Sequence, residues 1–167
     1  MSPRFLASAA LIGTFLVIQP FRPYVVSGTS MSTTFASGQI VLGNVRSEQV
    51  ARGDVVVFRR DGETMIKRVV YLPNDRMEQF FVADEWKAPV NRLVYRTMAT
   101  HGFPRRNYAI PEGYLYVIGD NRDESVDSRE FGPIKLSDVV AVVPGGGSED
   151  YSWFAGVHET AQAVALL

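Results

Sequence analysis

Apolar and polar positions divide this chain into two unequal parts. Phe5 to Phe21 is a run of 17 residues without a charge, and Phe5–Ile18 within it is mostly Leu, Ile, Val, Phe and Ala. Apolar positions surround this stretch instead of forming one stripe, which predicts a helix buried on all sides and not one lying on a surface. A membrane-spanning helix needs about 20 residues, with a lower limit near 17. Three assignments compete: a single N-terminal anchor, which is favoured; a cleaved signal or transit peptide; and a buried core helix. Pro20 and Pro23 should end the helix near Ile18, so the anchor is assigned to residues 1–23. Arg4 and Arg22 flank it with one charge each, so the positive-inside rule gives no orientation.

From Tyr24 onward the pattern changes to short β-branched and aromatic runs between turn residues. Gln39–Leu42, Asp54–Arg59, Thr64–Leu72, Gln79–Ala83, Tyr114–Ile118 and Val139–Val143 read as strands. Asp61-Gly62, Pro73-Asn74, Glu112-Gly113 and Pro144-Gly145 punctuate them. No long helical period lies between, so the fold class is mainly β, an antiparallel barrel or sandwich over 24–143. Residues 73–111 are less regular and read as an inserted small subdomain or a long excursion. Gly145–Ser148 reads as a linker, and Trp153–Leu167 as a short amphipathic helix, giving a C-terminal region over 144–167.

Composition sharpens this division. The chain has 167 residues, a net charge of −1 and no cysteine. The absent thiols exclude a disulfide framework, a thiolate zinc site and a cysteine nucleophile. A near-zero charge argues against nucleic acid as a partner, and 10 Phe, 7 Tyr and 2 Trp argue against long disorder. Split at residue 45, the first part carries only Arg4 and Arg22. The remainder holds 15 basic residues and all 18 acids, a net −3.

Three segments hold candidate chemistry. Ser27–Phe35 is rich in hydroxyls, and reads either as a solvated turn or as a sharp turn presenting a nucleophilic serine beside backbone N–H groups. Gly28 would let the backbone approach a substrate. Thr64–Val70 holds two adjacent cations in a strand. Lys67 shares its face with Met65 and Val69, and Arg68 shares the other with Ile66 and Val70, so one of them must sit on a partly apolar face. That one either snorkels to water or is a desolvated lysine whose neutral amine is a general base. Gly119–Gly132 carries five acids against two arginines. Arg122 and Glu124 fall where an EF-hand loop needs its third and fifth ligands, so no metal is assigned. The segment reads as a solvated acidic turn, or as a hydrogen-bonded shelf with Asp127 and Arg129 paired.

Together these segments resemble type I signal peptidases, the serine–lysine membrane proteases. The family's Ser-Met-x-Pro-Thr box stands here as Ser30-Met31-Ser32-Thr33-Thr34. Arg-Gly-Asp-Val-Val-Val-Phe stands at Arg52–Phe58, and Ile-Lys-Arg-Val at Ile66–Val69. Gly119–Gly132 matches Gly-Asp-Asn-x-x-x-Ser-x-Asp-Ser-Arg-x-Phe-Gly at every fixed position. Thr33 stands where the family has proline, Gly28 where some members have a serine that donates to the oxyanion, and Tyr71 and Asn74 where many bacterial members have glycines. A short chain with one anchor resembles the mitochondrial inner membrane protease subunits most.

The resemblance implies a membrane-anchored serine endopeptidase that removes N-terminal signal or sorting peptides. It implies Ser30 as nucleophile, Lys67 as base, and Ser125 orienting the Lys67 amine by a hydrogen bond. Asp120, Asn121, Asp127, Ser128 and Arg129 are expected as structural support, and Met31 and Ile66 as walls of the substrate site. No cofactor is expected. Expected partners are precursor proteins, the lipid bilayer and a paralogous subunit. The expected location is the mitochondrial inner membrane facing the intermembrane space, or alternatively the outer face of a bacterial plasma membrane. The rival readings are a non-catalytic partner of an active paralogue and a self-cleaving repressor, which would need a helix-turn-helix where residues 1–26 are apolar.

Overall fold

A computed structural model describes residues 20–144 and 163–166 of the chain. Residues 1–19 of the expected anchor, the linker, and residues 153–162 of the expected C-terminal helix lie outside the described residues. Among the described residues, no helix is long and apolar enough to cross a membrane.

The main body is a seven-stranded sheet. It is built from β1 (Phe21–Val25), β2 (Ile40–Asn44), β4 (Val55–Arg60), β5 (Glu63–Tyr71), β9 (Tyr114–Ile118), β10 (Ile134–Lys135) and β11 (Val139–Val143), in the order β1-β2-β11-β4-β5-β9-β10. Its neighbouring strands all pair antiparallel. Val55, Val56, Val57 and Phe58 of β4 are all buried. Val55 and Val57 pack with Val26, Met31 and Ala141, while Val56 and Phe58 pack with Val69, Leu115 and Val117. A run of β-branched residues without alternation therefore marks a strand covered on both faces.

Strands Tyr114–Ile118 and Val139–Val143 fall on their expected bounds, and the other four expected runs are found within a few residues. β1 corrects the anchor boundary, because Phe21–Pro23 belong to a strand. Pro23 pairs with Leu42 at the edge of the sheet, where its missing N–H breaks no interior ladder.

The irregular stretch after β5 is an inserted three-stranded sheet, β6 (Arg76–Val82), β7 (Glu85–Lys87) and β8 (Arg105–Ala109), with helix α1 (Arg92–Thr100) between β7 and β8. Asn91 caps α1 by accepting from the Val94 N–H at 2.9 Å. Tyr95 packs edge-on against Phe80, with ring centroids 5.6 Å apart, and donates to Glu78. The turn into this subdomain is held by Asp75, which is wholly buried and accepts from the Leu72 N–H at 2.6 Å and from Arg52 at 2.8 Å. Asn74 takes the left-handed conformation there, at φ 68°, which asparagine tolerates best after glycine.

The expected C-terminal helix is corrected at its end. Ala163–Ala165 form β12, paired with β3 (Gln49–Ala51). The open backbone edge of β3 takes up this strand, and Leu166 completes the ladder by donating its N–H to Glu48 O at 2.8 Å. Leu166 packs on the same core cluster as the fully buried Val50.

Gly43 in β2 is required by close approach. A Cβ there would lie 2.8 Å from both Ala141 Cβ and the Tyr24 ring. Gly43→Ala is expected to lower stability by about 1–3 kcal/mol through overpacking, measured by denaturant unfolding against wild type.

Candidate active site

Ser30 sits on the loop that joins β1 to β2. Val26 closes that loop, donating to Gln39 O and accepting from the Gly38 N–H, both at 2.8 Å. Val26 and Met31 are buried on either side of Ser30 and pin the loop to the core. Inside it, Ser32 N–H donates to Thr29 O at 2.9 Å and Phe35 N–H to Met31 O at 2.7 Å. Gly28 adopts φ 83° with open space where a side chain would stand, a conformation that favours glycine.

β5 brings Lys67 to this loop. Its Nζ lies 2.7 Å from Ser30 Oγ and donates to Ile66 O at 3.1 Å. Lys67 is 4% exposed. Burial lowers its pKa from the ordinary value, against the opposing pull of Asp127 and Asp120. A neutral amine this close to a serine hydroxyl is placed to take its proton.

Arg68, the next residue, is 1% exposed. Both cations are therefore buried, where one was expected, because β5 is a central strand with neighbours on both sides. Arg68 forks onto Asp120, with Nε 2.8 Å from Oδ1 and Nη2 bonded to Oδ2. It also donates to Gly53 O at 2.8 Å and to Thr34 Oγ1 at 3.3 Å. Thr34 donates to Asp120 in turn. This network joins the serine loop, the turn before β4, and the end of β9. Sequence reading assigned no role to Arg68 or Thr34. The signal was an arginine in a central strand and an aspartate ending an apolar one.

The loop after β9 forms the shelf. Asn121 donates its backbone N–H to Ser30 O at 2.9 Å and its side-chain amide to Thr29 O at 3.1 Å. Asp127 is fully buried. It caps helix α2 (Ser128–Phe131), accepts from the Gly119 N–H at 2.9 Å, and takes both Nε and Nη2 of Arg129 at 2.8 Å. Ser128 Oγ accepts from the Val117 N–H at 3.0 Å. Gly119 has no room for a side chain, since a Cβ there would lie 2.1 Å from Ser125 Oγ and 2.6 Å from Ser30 O.

Two expectations are corrected by this geometry. Ser125 Oγ is buried against Gly119 and has no hydrogen-bond partner among the described residues, so it does not bond to Lys67. The amine is taken up by Ser30 and Ile66. Met31 is wholly buried in the core and is no wall of the substrate site, because it anchors the loop from beneath. Ile66 and Gly28 do line the groove that reaches Ser30 and Lys67, a space of about 870 Å³ between the segment from Pro23 to Ser30 and that from Glu63 to Lys67.

The chain has known relatives. A family model described as signal peptidase, peptidase S26, matches residues 3–144. The chain belongs to this family. As an S26 member it is a serine endopeptidase. It is 32% identical over 164 residues to signal peptidase I V of Bacillus subtilis (strain 168), covering 86% of this chain and 98% of that one. With signal peptidase I of Bacillus caldolyticus it shares 33% over 140 residues, covering 74% and 77%. With signal peptidase IB of Staphylococcus aureus (strain N315) it shares 29% over 154 residues, covering 80% and 78%. The crystal structure of a signal peptidase I from Enterococcus faecalis V583 overlays with a TM-score of 0.38 at 25% identity, covering 56% of this chain and 96% of that one. These relatives are bacterial, and nothing among them points to a mitochondrial subunit.

The buried charges Arg68–Asp120 and Lys67 carry two stability predictions. Asp120→Ala leaves the Arg68 guanidinium buried without its carboxylate and should cost about 3–5 kcal/mol, read by denaturant unfolding. Lys67 affects stability through its lowered pKa. As pH falls below about 10.5 the unfolded chain takes up a proton that the folded chain refuses, so stability falls until the lowered folded value is reached. Lys67→Met should therefore stabilise the fold more at neutral pH than near pH 10.5. Equal gains at both would place a charged ammonium in the site.

Proposed function

We propose that this chain is a membrane-anchored signal peptidase that removes signal peptides from precursor proteins with a Ser30–Lys67 dyad. The observation that carries the reading is the 2.7 Å contact between Ser30 Oγ and a buried lysine amine. The neutral Lys67 takes the Ser30 proton as Oγ attacks the scissile carbonyl. The resulting ammonium gives that proton to the departing amine, leaving an acyl-enzyme. Water, deprotonated by the same amine, then releases the acid and frees Ser30. The Ser30 backbone N–H is the first donor to the oxyanion.

The part of the substrate before the cut lies extended in the groove, between the segment leading to Ser30 and the strand leading to Lys67, in the manner of strand addition. The family match begins at residue 3 and so takes in the apolar segment assigned to the anchor. The bacterial relatives favour the outer face of a bacterial plasma membrane over the mitochondrial site. Ser30 and Lys67 in contact weigh against a non-catalytic partner subunit, which has no use for a buried amine beside a serine.

Ser30→Ala should lower precursor cleavage by about 10⁴-fold or more, followed by gel shift of precursor to mature protein. Lys67→Arg should be as inactive, because guanidinium keeps its proton. Since burial lowers the Lys67 pKa, kcat/KM should rise with pH until the amine is fully neutral. A rate independent of pH from mildly acidic to alkaline conditions would remove Lys67 as base.

A further inference from the structure

The loop carrying Ser125 has two sides. Glu124 and Val126 line the groove that ends at Ser30 and Lys67. Asp123 and Ser125 line a second cleft, of about 760 Å³. Its far wall comes from the inserted sheet. The register sets Phe81 opposite Trp86 and Gln79 opposite Arg106, so these four share the face turned away from Phe80 and the α1 helix packed on it. The Trp86 ring lies 5.2 Å from that of Phe81, and the Arg106 guanidinium stacks 4.5 Å over Trp86. Arg106 spends Nε and Nη2 on the neutral Gln79 oxygen, at 3.0 and 2.9 Å. It pairs with no carboxylate among the described residues.

A substrate whose acyl part fills the groove has to continue past Ser30. Asn121 clamps Ser30 O and Thr29 O, which sets the loop from 121 to 126 directly beside the nucleophile. The second cleft opens on the far side of that loop. It combines an aromatic wall, which carries a peptide at low entropic cost, with a cation free to meet an acid. Resting on the serine–lysine reading above, we propose that the second cleft receives the peptide segment that follows the cut, with Trp86 carrying it and Arg106 favouring an acidic side chain. This segment departs when the acyl-enzyme forms, so the cleft acts on acylation and not on deacylation.

Two measurements on the full chain in detergent test the assignment. The first uses Ser30→Ala protein, with peptides bearing a photoreactive benzophenone at the second to fifth positions after the cut. Cross-links are expected on the wall of Trp86 and Arg106, and cross-links confined to the groove would overturn the proposal. The second compares kcat/KM for peptides with Glu or Lys at those positions. Wild type should favour Glu by about 2–5-fold, the size of an exposed ion pair. Arg106→Glu, at an exposed position, should invert the order, and an unchanged preference would overturn the proposal. If wild type cuts no peptide at all, the activity itself fails, while cross-linking to the Ser30→Ala protein still decides the cleft.

Discussion

The site is built around one buried amine set among carboxylates. A lysine is a base only without its proton, and burial of Lys67 favours that form. Asp120 and Asp127 work against it, since each favours the charged amine. Each of these acids is held by its own arginine, Arg68 for Asp120 and Arg129 for Asp127, through forked contacts. The carboxylates are thus spent on structure, and desolvation outweighs the field that remains. An arginine next to Lys67 on β5 and another two residues past the second acid limit how far the acid-rich loop can favour the protonated amine.

The same pairs position Ser30 and Lys67. Arg68 reaches the serine loop through Thr34 and the turn before β4 through Gly53. Asp127 holds the Gly119 N–H, and Asn121 holds the carbonyl of Ser30. A serine on a loop and a lysine on a strand therefore share one rigid frame, without which a 2.7 Å contact between two flexible side chains would be lost to rotamer freedom.

Much of this was legible in the sequence. The β runs stand out because β4 is valine on both faces and β9 is bounded by Gly113 and Gly119. Ser30, Lys67 and the shelf were visible as motifs. α1 was missed although Asn91 and the Pro89 and Gly102 that bracket it were helix signals, because its apolar stripe spans only nine residues and none of them is buried. β1 was read as the end of an anchor because prolines there suggested a stop, and its pairing with β2 is a tertiary fact. Met31 and Ser125 were misplaced for a related reason: which side of a turn a side chain takes is set by what packs beneath it. Gly119 shows this for Ser125, and the valines of β4 show it for Met31.

The clamp between Asn121 and the serine loop has a temporal consequence. Ser30 and Lys67 are 37 residues apart in the chain, and Asn121 lies 92 residues from Thr29. Contacts of such separation form only when most of the sheet has closed. A chain still being synthesised, or only partly folded, carries the serine and the lysine but no neutral amine, because nothing yet shields Lys67 from water. On the serine–lysine mechanism proposed above, proteolytic competence is then a property of the finished fold alone.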